Sequence, residues 1–263
     1  YPKFIPAVAA AKAPLDFYSF HAYVSDPNWL INTYPRQMRK LLDDNGLTNT
    51  ELILDEYHYF PCDFFKLRND NVYRLKANSE TLCGVEAGAF ACAAMTGWQD
   101  GPLTMANYYA TAPCDWGLID LETQRITPSY YCFKAYGRLM RYPNRVRASA
   151  AAPLYALAGK NERGEIALLV TGFKNGAGPI RIDLDTVPAS VLVEAVEDGR
   201  DLEAVPVKID GKTIVLEQKG NSAVFLVTLT PAAMPPTGAF RDIPGATDSV
   251  AARCCETKGG TYF

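Results

Sequence analysis

Three apolar segments in the first half of the sequence each end on side chains that could do chemistry: His21 and Tyr23, Asp55 and Glu56, and Trp98 and Asp100. An ionised carboxylate at a strand end can attack an acetal carbon, because the ester that it forms with a sugar is itself hydrolysable. Glu56 is the candidate for that role. An indole ring beside hydrogen-bonding groups suits the C–H face and the hydroxyls of a sugar, which favours Trp98 and Asp100 as substrate-binding residues. His21 and Tyr23 are expected to bind substrate with them.

Each of these residues also has an ordinary structural interpretation. Most Glu side chains are simply solvated, a lone His is often a hydrogen-bonded core residue, and Tyr and Trp pack in a core more often than they bind a ligand. The shared position favours chemistry. Apolar segments that finish on His-x-Tyr, Asp-Glu and Trp-Gln-Asp are together a more specific pattern than any one of them alone.

The elements that would position these residues alternate between strand and helix. Strands are predicted at 17–23, 51–56 and 95–99, and helices at 26–45, 79–94 and 128–141. Such alternation predicts parallel strands with right-handed crossovers, hence an α/β barrel or a doubly wound sheet. In a parallel barrel the reacting groups lie at the carboxyl ends of the strands, so the three polar strand ends are expected to meet.

Length limits how much of a barrel this chain can hold. A complete eightfold barrel needs roughly 250 residues, about 30 for each βα unit, whereas the alternating pattern covers residues 1–149 and supplies three strands. We therefore expect a partial (β/α)8 barrel, its last three βα units, with an N-terminal barrel segment missing. The chain opens on Tyr1 and Pro2 without an initiator Met, which suggests a fragment or a processed product.

The pattern changes near residue 150. Turn sequences such as Asp210-Gly211 separate seven short alternating segments, at 153–158, 165–171, 180–184, 191–196, 205–209, 213–217 and 223–229. Such a run predicts an antiparallel β-sandwich over residues 150–230. Residues 231–263 are rich in Pro, Gly and Ala without periodicity, and a tail of uncertain order is expected there.

Composition argues against several classes of partner. Hydrophobic residues make up 48% of the 263 residues and charged residues 21%, the mixture of a folded globular chain. The net charge of −3 leaves no positive excess for phosphates, so no nucleic acid partner is expected. No apolar run approaches the roughly 18 residues that would span a bilayer, so no membrane association is expected either.

The seven cysteines show no metal-binding pattern. They lack a C-x-x-C spacing and the chain has only two His, so neither a metal nor a cofactor is expected. Cys83 and Cys92 lie in a segment of small apolar residues and are expected to be buried thiols. Cys254 and Cys255 could pair with other thiols. The compartment stays undecided, with a secreted or periplasmic location slightly favoured.

The order and spacing of these motifs carry a family resemblance. The His-x-Tyr strand comes first, then strands ending on Glu56 and Trp98, then the sequences WGLID at 116–120 and PSYY at 128–131. This order resembles the last third of clan A retaining glycoside hydrolases, the (β/α)8 enzymes, with families 39 and 5 nearest. The resemblance implies that the three strands are the sixth, seventh and eighth of a barrel, that Glu56 is the nucleophile and that Trp98 lies under the sugar at the cleavage point. It also implies an oligosaccharide or glycoside substrate and is consistent with a C-terminal β-sandwich, which occurs in this clan.

One group of the family pattern is missing from the chain. The acid/base Glu of the clan belongs to an Asn-Glu pair that ends the fourth strand, and here Asn161-Glu162 lies in a turn of the predicted sandwich. Retaining hydrolysis needs two carboxyl groups about 5 Å apart, one to protonate the leaving oxygen and one to attack. We therefore expect a glycoside hydrolase that is present here without its acid/base strand.

Two other functions stay open. The chain could hold carbohydrate without cleaving it, through Trp98, Tyr23 and Trp116. It could also be an unrelated doubly wound α/β domain whose Asp55-Glu56 pair serves a metal, although the sequence has neither a Gly-rich phosphate loop nor clustered His ligands.

The predicted strand ends lead to three geometric expectations. Adjacent barrel strands bring their ends together, which predicts that the Tyr23 hydroxyl reaches the Glu56 carboxylate. Alternation along a strand predicts that only one of Asp55 and Glu56 points into the barrel mouth. The loop at 60–73 is expected to wall a subsite with its aromatic residues Phe64, Phe65 and Tyr73.

Overall fold

Three parallel strands form the first sheet of the structure, a computed structural model that describes residues 3–232. The strands are β1 (Phe17–Val24), β2 (Glu51–Tyr59) and β3 (Met105–Tyr108), in that spatial order. Both pairings are parallel, and helices lie between the strands along the chain, as the alternating sequence pattern predicts. The first two strands are present where they were expected, and each extends further at its carboxyl end.

The helices of this part lie before, between and after the three strands. They are α1 (Phe4–Ala10), α2 (Tyr34–Asp44), α3 (Phe64–Asn69), α4 (Asn71–Ala77), α5 (Val85–Trp98) and α6 (Pro128–Arg138). A π-helical turn precedes α2 and another precedes α5, at Trp29–Thr33 and Asn78–Leu82. Within residues 3–232, no helix combines the length and the apolar character needed to cross a bilayer.

Two short helices, α3 and α4, occupy the segment that was expected to be a long loop after β2. The Asp63 carboxylate accepts hydrogen bonds from the backbone N–H groups of Phe65 and Lys66, and the Asp70 carboxylate accepts one from Tyr73. Side-chain caps of this kind satisfy N–H groups that the first turn of a helix leaves unpaired. The two Asp residues therefore account for helices in a segment with weak apolar periodicity.

The third strand lies later in the chain than the sequence predicted. Residues 95–98 belong to the last turn of α5, and the strand is Met105–Tyr108. Most side chains of α5 are buried whichever way they face, so its continuous apolar run resembles that of a buried strand. The prediction of a strand at 95–99 was wrong for this reason.

Small residues in α5 allow a close helix–helix contact. A Cβ atom at Gly88 would lie 2.5 Å from Cys132 Sγ and 3.0 Å from Ser129 Cα, and both of those residues are on α6. Only glycine therefore fits where these two helices cross. Cys83 and Cys92 are buried free thiols, as predicted.

The second part of the structure is antiparallel throughout. Its strands are β4 (Asn144–Val146), β5 (Leu154–Lys160), β6 (Ile166–Gly172), β7 (Gly178–Asp183), β8 (Pro188–Glu197), β9 (Arg200–Ala204), β10 (Lys208–Asp210), β11 (Thr213–Gln218) and β12 (Ala223–Pro231). They form a six-stranded sheet in the order β4-β5-β6-β12-β8-β9 and a three-stranded sheet in the order β10-β11-β7. Each of the seven predicted segments overlaps a strand, whereas the short strands β4 and β9 were not predicted. Residues 233–263, with Cys254 and Cys255, lie outside the described residues.

The six-stranded sheet is covered on both faces. On β12, Val224 and Leu226 belong to the same core as the buried residues of α5 and α6. The intervening residues of that strand, Phe225 and Val227, belong to a second core with the three-stranded sheet. Because neighbours on a strand point to opposite faces, this one sheet joins the parallel part of the structure to the small antiparallel sheet.

Candidate active site

The carboxyl ends of β1 and β2 bring the predicted polar residues together. In the parallel register His21 lies opposite Glu56, and Tyr23 lies opposite His58. The strands run in the same direction, so their last residues share one edge of the sheet, the edge that carries reacting groups in parallel barrels. Three of the candidates from the sequence, His21, Tyr23 and Glu56, therefore meet in space.

Two side chains of β1 approach the same oxygen of Glu56. The Tyr23 hydroxyl donates a hydrogen bond to Glu56 Oε2 at 2.6 Å, so the predicted contact is present. His21 Nδ1 lies 3.2 Å from that oxygen. A short hydroxyl-to-carboxylate hydrogen bond is about twice as strong as one between neutral groups. The carboxylate is thus held in one orientation by the neighbouring strand.

Tyr23 is a permanent donor in this arrangement. Burial, followed by the hydrogen bond and the charge of Glu56, raises the pKa of Tyr23 far above its usual range. A phenolate in this place would be both poorly solvated and repelled by a carboxylate. The hydroxyl therefore keeps its proton at every pH near neutrality.

Asp55 lies beside His21 as well, which alternation along β2 did not predict. His21 Nε2 is 3.4 Å from Asp55 Oδ1, and this oxygen is buried without a hydrogen-bond partner. The pairing of β2 with each of its neighbours shifts register close to these residues, and such bulges interrupt strict alternation. His21 consequently lies between two carboxylates.

A cavity of about 350 Å³ opens at Glu56. Its other described lining residues are all aromatic: Tyr23, Phe60, Phe64, Tyr109 and Trp116. The Trp116 ring centroid lies 5.3 Å from that of Phe60, 5.7 Å from that of Tyr23 and 6.0 Å from that of Tyr109. Aromatic faces around one charged group suit a ligand that has both C–H faces and polar substituents.

The loop expected to wall a subsite contributes part of this lining. Phe64 lines the cavity, whereas Phe65 is 79% exposed. Tyr73 does not line the cavity but packs against the same small cluster as Trp116. Sequence reasoning missed Tyr109, which directly follows β3. Had the third strand been located correctly, Tyr109 would have been recognised as the aromatic residue at its end.

Trp98 and Asp100 do not line the cavity. Trp98 ends α5, is 8% exposed, and its indole N–H donates to the backbone carbonyl of Leu30 at 3.1 Å. Asp100 accepts two hydrogen bonds from Arg145, at 2.7 and 2.6 Å, and this guanidinium lowers the pKa of Asp100. Both residues precede β3, so the position predicted for them at its carboxyl end was wrong.

His58 is a buried residue of the site that sequence reasoning did not single out. Its Nδ1 lies 2.7 Å from the Tyr59 carbonyl oxygen, and its Nε2 lies 2.8 Å from the Tyr108 hydroxyl and 3.1 Å from the Trp116 carbonyl oxygen. Burial lowers the pKa of His58. A neutral ring that donates from Nδ1 and accepts at Nε2 fits the first two contacts. Its position in the sequence could have identified it, because a residue two places after Glu56 lies on the same face of the strand.

The chemistry available at the cavity is that of a positioned carboxylate. Within residues 3–232, no three His, Cys, Asp or Glu side chains are arranged to hold a metal ion. Glu56 has a donor on one oxygen and aromatic rings around it. Such a group can attack an electrophilic carbon that is seated against the rings.

Comparison with solved structures identifies the fold. The chain is similar to the GH39 β-xylosidase of Caulobacter crescentus, with a TM-score of 0.61 at 14% identity over 88% of this chain and 54% of that one. It is similar to a glucosidase from Croceicoccus marinus, with a TM-score of 0.59 at 17% identity over 86% and 56%. It is also similar to a family 44 xyloglucanase from Paenibacillus polymyxa, with a TM-score of 0.56 at 14% identity over 86% and 51%.

These similarities define a class of fold. The chain has a glycoside-hydrolase-like fold, and it spans about half the length of the structures that it matches. No protein-family model matches the sequence, and no curated protein matches it significantly.

Proposed function

We propose that this chain is the C-terminal part of a retaining glycoside hydrolase and that Glu56 is its nucleophile. In this proposal residues 1–149 belong to a (β/α)8 catalytic barrel, except for the edge strand β4, and residues 150–230 form a β-sandwich domain to which β4 adds. The observation that carries it is the 2.6 Å hydrogen bond from Tyr23 to Glu56 in an aromatic cavity at the ends of parallel strands. The shared fold of glycoside hydrolases supports it.

The proposed reaction has two steps. Tyr23 and His21 hold Oε2 of Glu56, and the attack on the anomeric carbon is assigned to Oε1. A bond from Oε1 to that carbon forms while the bond to the leaving oxygen breaks, and an acid donates a proton to the leaving oxygen. Water then cleaves the glycosyl ester, with net retention of anomeric configuration.

The acid that the reaction needs is proposed to come from a further barrel segment. Among the described strands, β1 and β3 each pair on one side only, and unpaired strand edges are sites where further strands add. Five more βα units there would complete an eightfold barrel. We propose that one of them supplies the acid/base carboxyl group.

The substrate is proposed to be a β-linked glycoside of xylose or glucose. The similar structures include a β-xylosidase, a glucosidase and a xyloglucanase, and these names support the choice of sugar. The aromatic lining supports a carbohydrate because sugars present C–H faces to aromatic rings.

The test is covalent labelling with 2,4-dinitrophenyl 2-deoxy-2-fluoro-β-xyloside and the matching glucoside, followed by peptide mapping. Dinitrophenolate leaves with little protonation, so the label should form even where the acid is absent. We expect the label on Glu56 and none in Glu56→Gln. A label on Asp55 would move the nucleophile to that residue, and no label on either residue would contradict the proposal.

The 263-residue chain by itself is expected to be a poor catalyst. A missing general acid costs roughly 10² to 10⁴ in rate, so natural glycosides should turn over slowly or not at all. Turnover of xylobiose or cellobiose by the purified chain, abolished in Glu56→Gln, would contradict the missing acid while supporting the nucleophile, because an unactivated sugar leaving group needs a proton donor.

A second candidate function is carbohydrate binding without cleavage. The cavity lining favours it, because Glu56 is the one carboxylate among the described lining residues and retaining hydrolysis needs two. Calorimetric titration with xylobiose and cellobiose tests it. Binding that is lost in Trp116→Ala, kept in Glu56→Gln and accompanied by no labelling would favour this function over hydrolysis.

A further inference from the structure

The residues immediately before and after Trp116 in the sequence are both constrained by contacts. Before it, the Asp115 carboxylate accepts a hydrogen bond from Arg74 Nη1 at 2.6 Å. After it, Gly117 occupies a place where a Cβ atom would lie 2.3 Å from the Ala112 carbonyl oxygen, so only glycine fits. The ring between these two points lines the cavity at Glu56.

Arg74 reaches Asp115 from a separate structural unit. It lies on α4, and α3 and α4 share a small hydrophobic cluster with Trp116 that is distinct from the two large cores. The buried members of this cluster are Leu67, Ala77 and Leu82. The unit formed by α3 and α4 therefore contacts the wall of the cavity through apolar packing and through one ion pair.

We propose that Arg74 is a positioning residue that determines ligand specificity. Its ion pair with Asp115 fixes the Trp116 ring against Tyr23 and Phe60, and the position of that ring sets the size of the ligand that fits at Glu56. The statement about the ligand rests on the proposed function, whereas the statement about the ring does not.

The surroundings of the Arg74–Asp115 ion pair indicate that it positions the Trp116 ring and does not hold the loop folded. The side chains of Arg74 and Asp115 are 29% and 35% exposed, and neither lines the cavity. The backbone after Trp116 has its own anchors, because Leu118 N–H donates to the Ala110 carbonyl at 3.0 Å and Thr127 Oγ1 donates to the Leu118 carbonyl at 3.0 Å. Loss of Arg74 should therefore release the ring while the loop stays folded.

The test uses the full chain with its three tryptophans replaced by 5-fluorotryptophan. Fluorine NMR gives one resonance for each, and Trp116→Phe identifies the one of interest. In Arg74→Gln we expect the Trp116 resonance to shift and broaden while those of Trp29 and Trp98 stay in place. The matched control is Lys76→Gln, on the same helix, whose 3.9 Å ion pair with Glu80 is fully at the surface.

Ligand binding provides the second readout. Titration with xylobiose should show a dissociation constant about 5- to 10-fold higher in Arg74→Gln than in Lys76→Gln. This is less than the full value of a charge-assisted hydrogen bond, because Arg74 acts on the ligand only through the Trp116 ring. Asp115→Asn, which removes the charge of the other member of the ion pair, should shift and broaden the Trp116 resonance in the same way. The exchanged pair Arg74→Asp with Asp115→Arg should restore the resonance in part.

Each outcome bears on the inference. An unmoved Trp116 resonance in Arg74→Gln, or equal shifts at all three tryptophans, overturns it. If Arg74→Gln and Asp115→Asn both fail to fold, the pair is structural and the inference is also overturned. A shifted resonance in a chain whose wild type binds no xylobiose supports the inference and counts against the proposed function.

Discussion

The antiparallel and parallel parts of this chain use their strand faces differently. In the six-stranded sheet, β12 buries Leu226 in one core and Phe225 in another, so both of its faces are filled. In the parallel part, β1 leaves the His21 side chain 53% exposed and turns Tyr23 toward a cavity. A strand with two packed faces adds stability, whereas a strand with one open face can present polar groups to a ligand. The comparison predicts that stability and ligand binding respond to different substitutions.

The largest effect on stability is expected in the antiparallel part, at Phe225. This side chain is 1% exposed, and Phe225→Ala should lower the free energy of unfolding by about 3–5 kcal/mol, through lost burial and the cavity left behind. Urea denaturation measures it, with Leu192→Ala, at a half-exposed position on β8, as the control at under about 0.5 kcal/mol. Xylobiose affinity well below the unfolding midpoint should not change. A matching loss of affinity in Phe225→Ala would break the comparison.

The opposite pattern is expected at Tyr23. Tyr23→Phe removes a hydrogen bond to a charged group worth about 1.5–3 kcal/mol, so kcat/KM in a complete enzyme should fall roughly 10- to 150-fold. The free energy of unfolding should change by less than about 1 kcal/mol, because the ring remains and water can replace the lost donor at the Glu56 carboxylate, whose side chain is 34% exposed. Tyr130→Phe, on α6 away from the cavity, is the control. Equal losses of activity in both variants would show that the contact with Glu56 has no special role.

The smallest effect is a pH dependence that originates at His58. Burial lowers its pKa in the folded state, so near pH 6.5 and below the unfolded chain binds more protons than the folded chain. The contribution of His58 to the free energy of unfolding should therefore be fully present above that pH. It should decrease as the pH falls, until the pH is below the lowered pKa of the folded state. One proton gives a slope of at most about 1.4 kcal/mol per pH unit. His58→Asn should flatten this slope between pH 6.5 and 5. Identical slopes in wild type and His58→Asn would refute the assignment.

The features that sequence predicted best are those encoded by local patterns. Short alternating segments revealed most of the antiparallel strands, and the two polar strand ends were enough to predict the contact between Tyr23 and Glu56. The four-residue strand β3 escaped detection because the fully buried helix α5 before it carries a stronger apolar signal. Tyr109 was missed with that strand.

Other parts of the site depend on contacts that no local pattern records. Arg74 and Asp115 are 41 residues apart in the chain, and neither belongs to a motif that would pair them. His58 is buried by the loop that carries Trp116, so its surroundings follow from tertiary structure alone. The bulge that brings Asp55 beside His21 likewise depends on how three strands pair.

The two-faced packing of β12 also has a mechanical consequence. A rotation of the parallel part against the small antiparallel sheet would pull Val224 and Leu226, or Phe225 and Val227, out of one core. The shared strand therefore opposes a rotation of one large core against the other. Ligand entry and release then fall to local motion of α3, α4 and the Trp116 loop, whose small cluster is separate from both cores. The rate of ligand exchange should accordingly depend on solvent viscosity and on temperature as the movement of a loop does. It should not show the dependence expected for the closure of two domains.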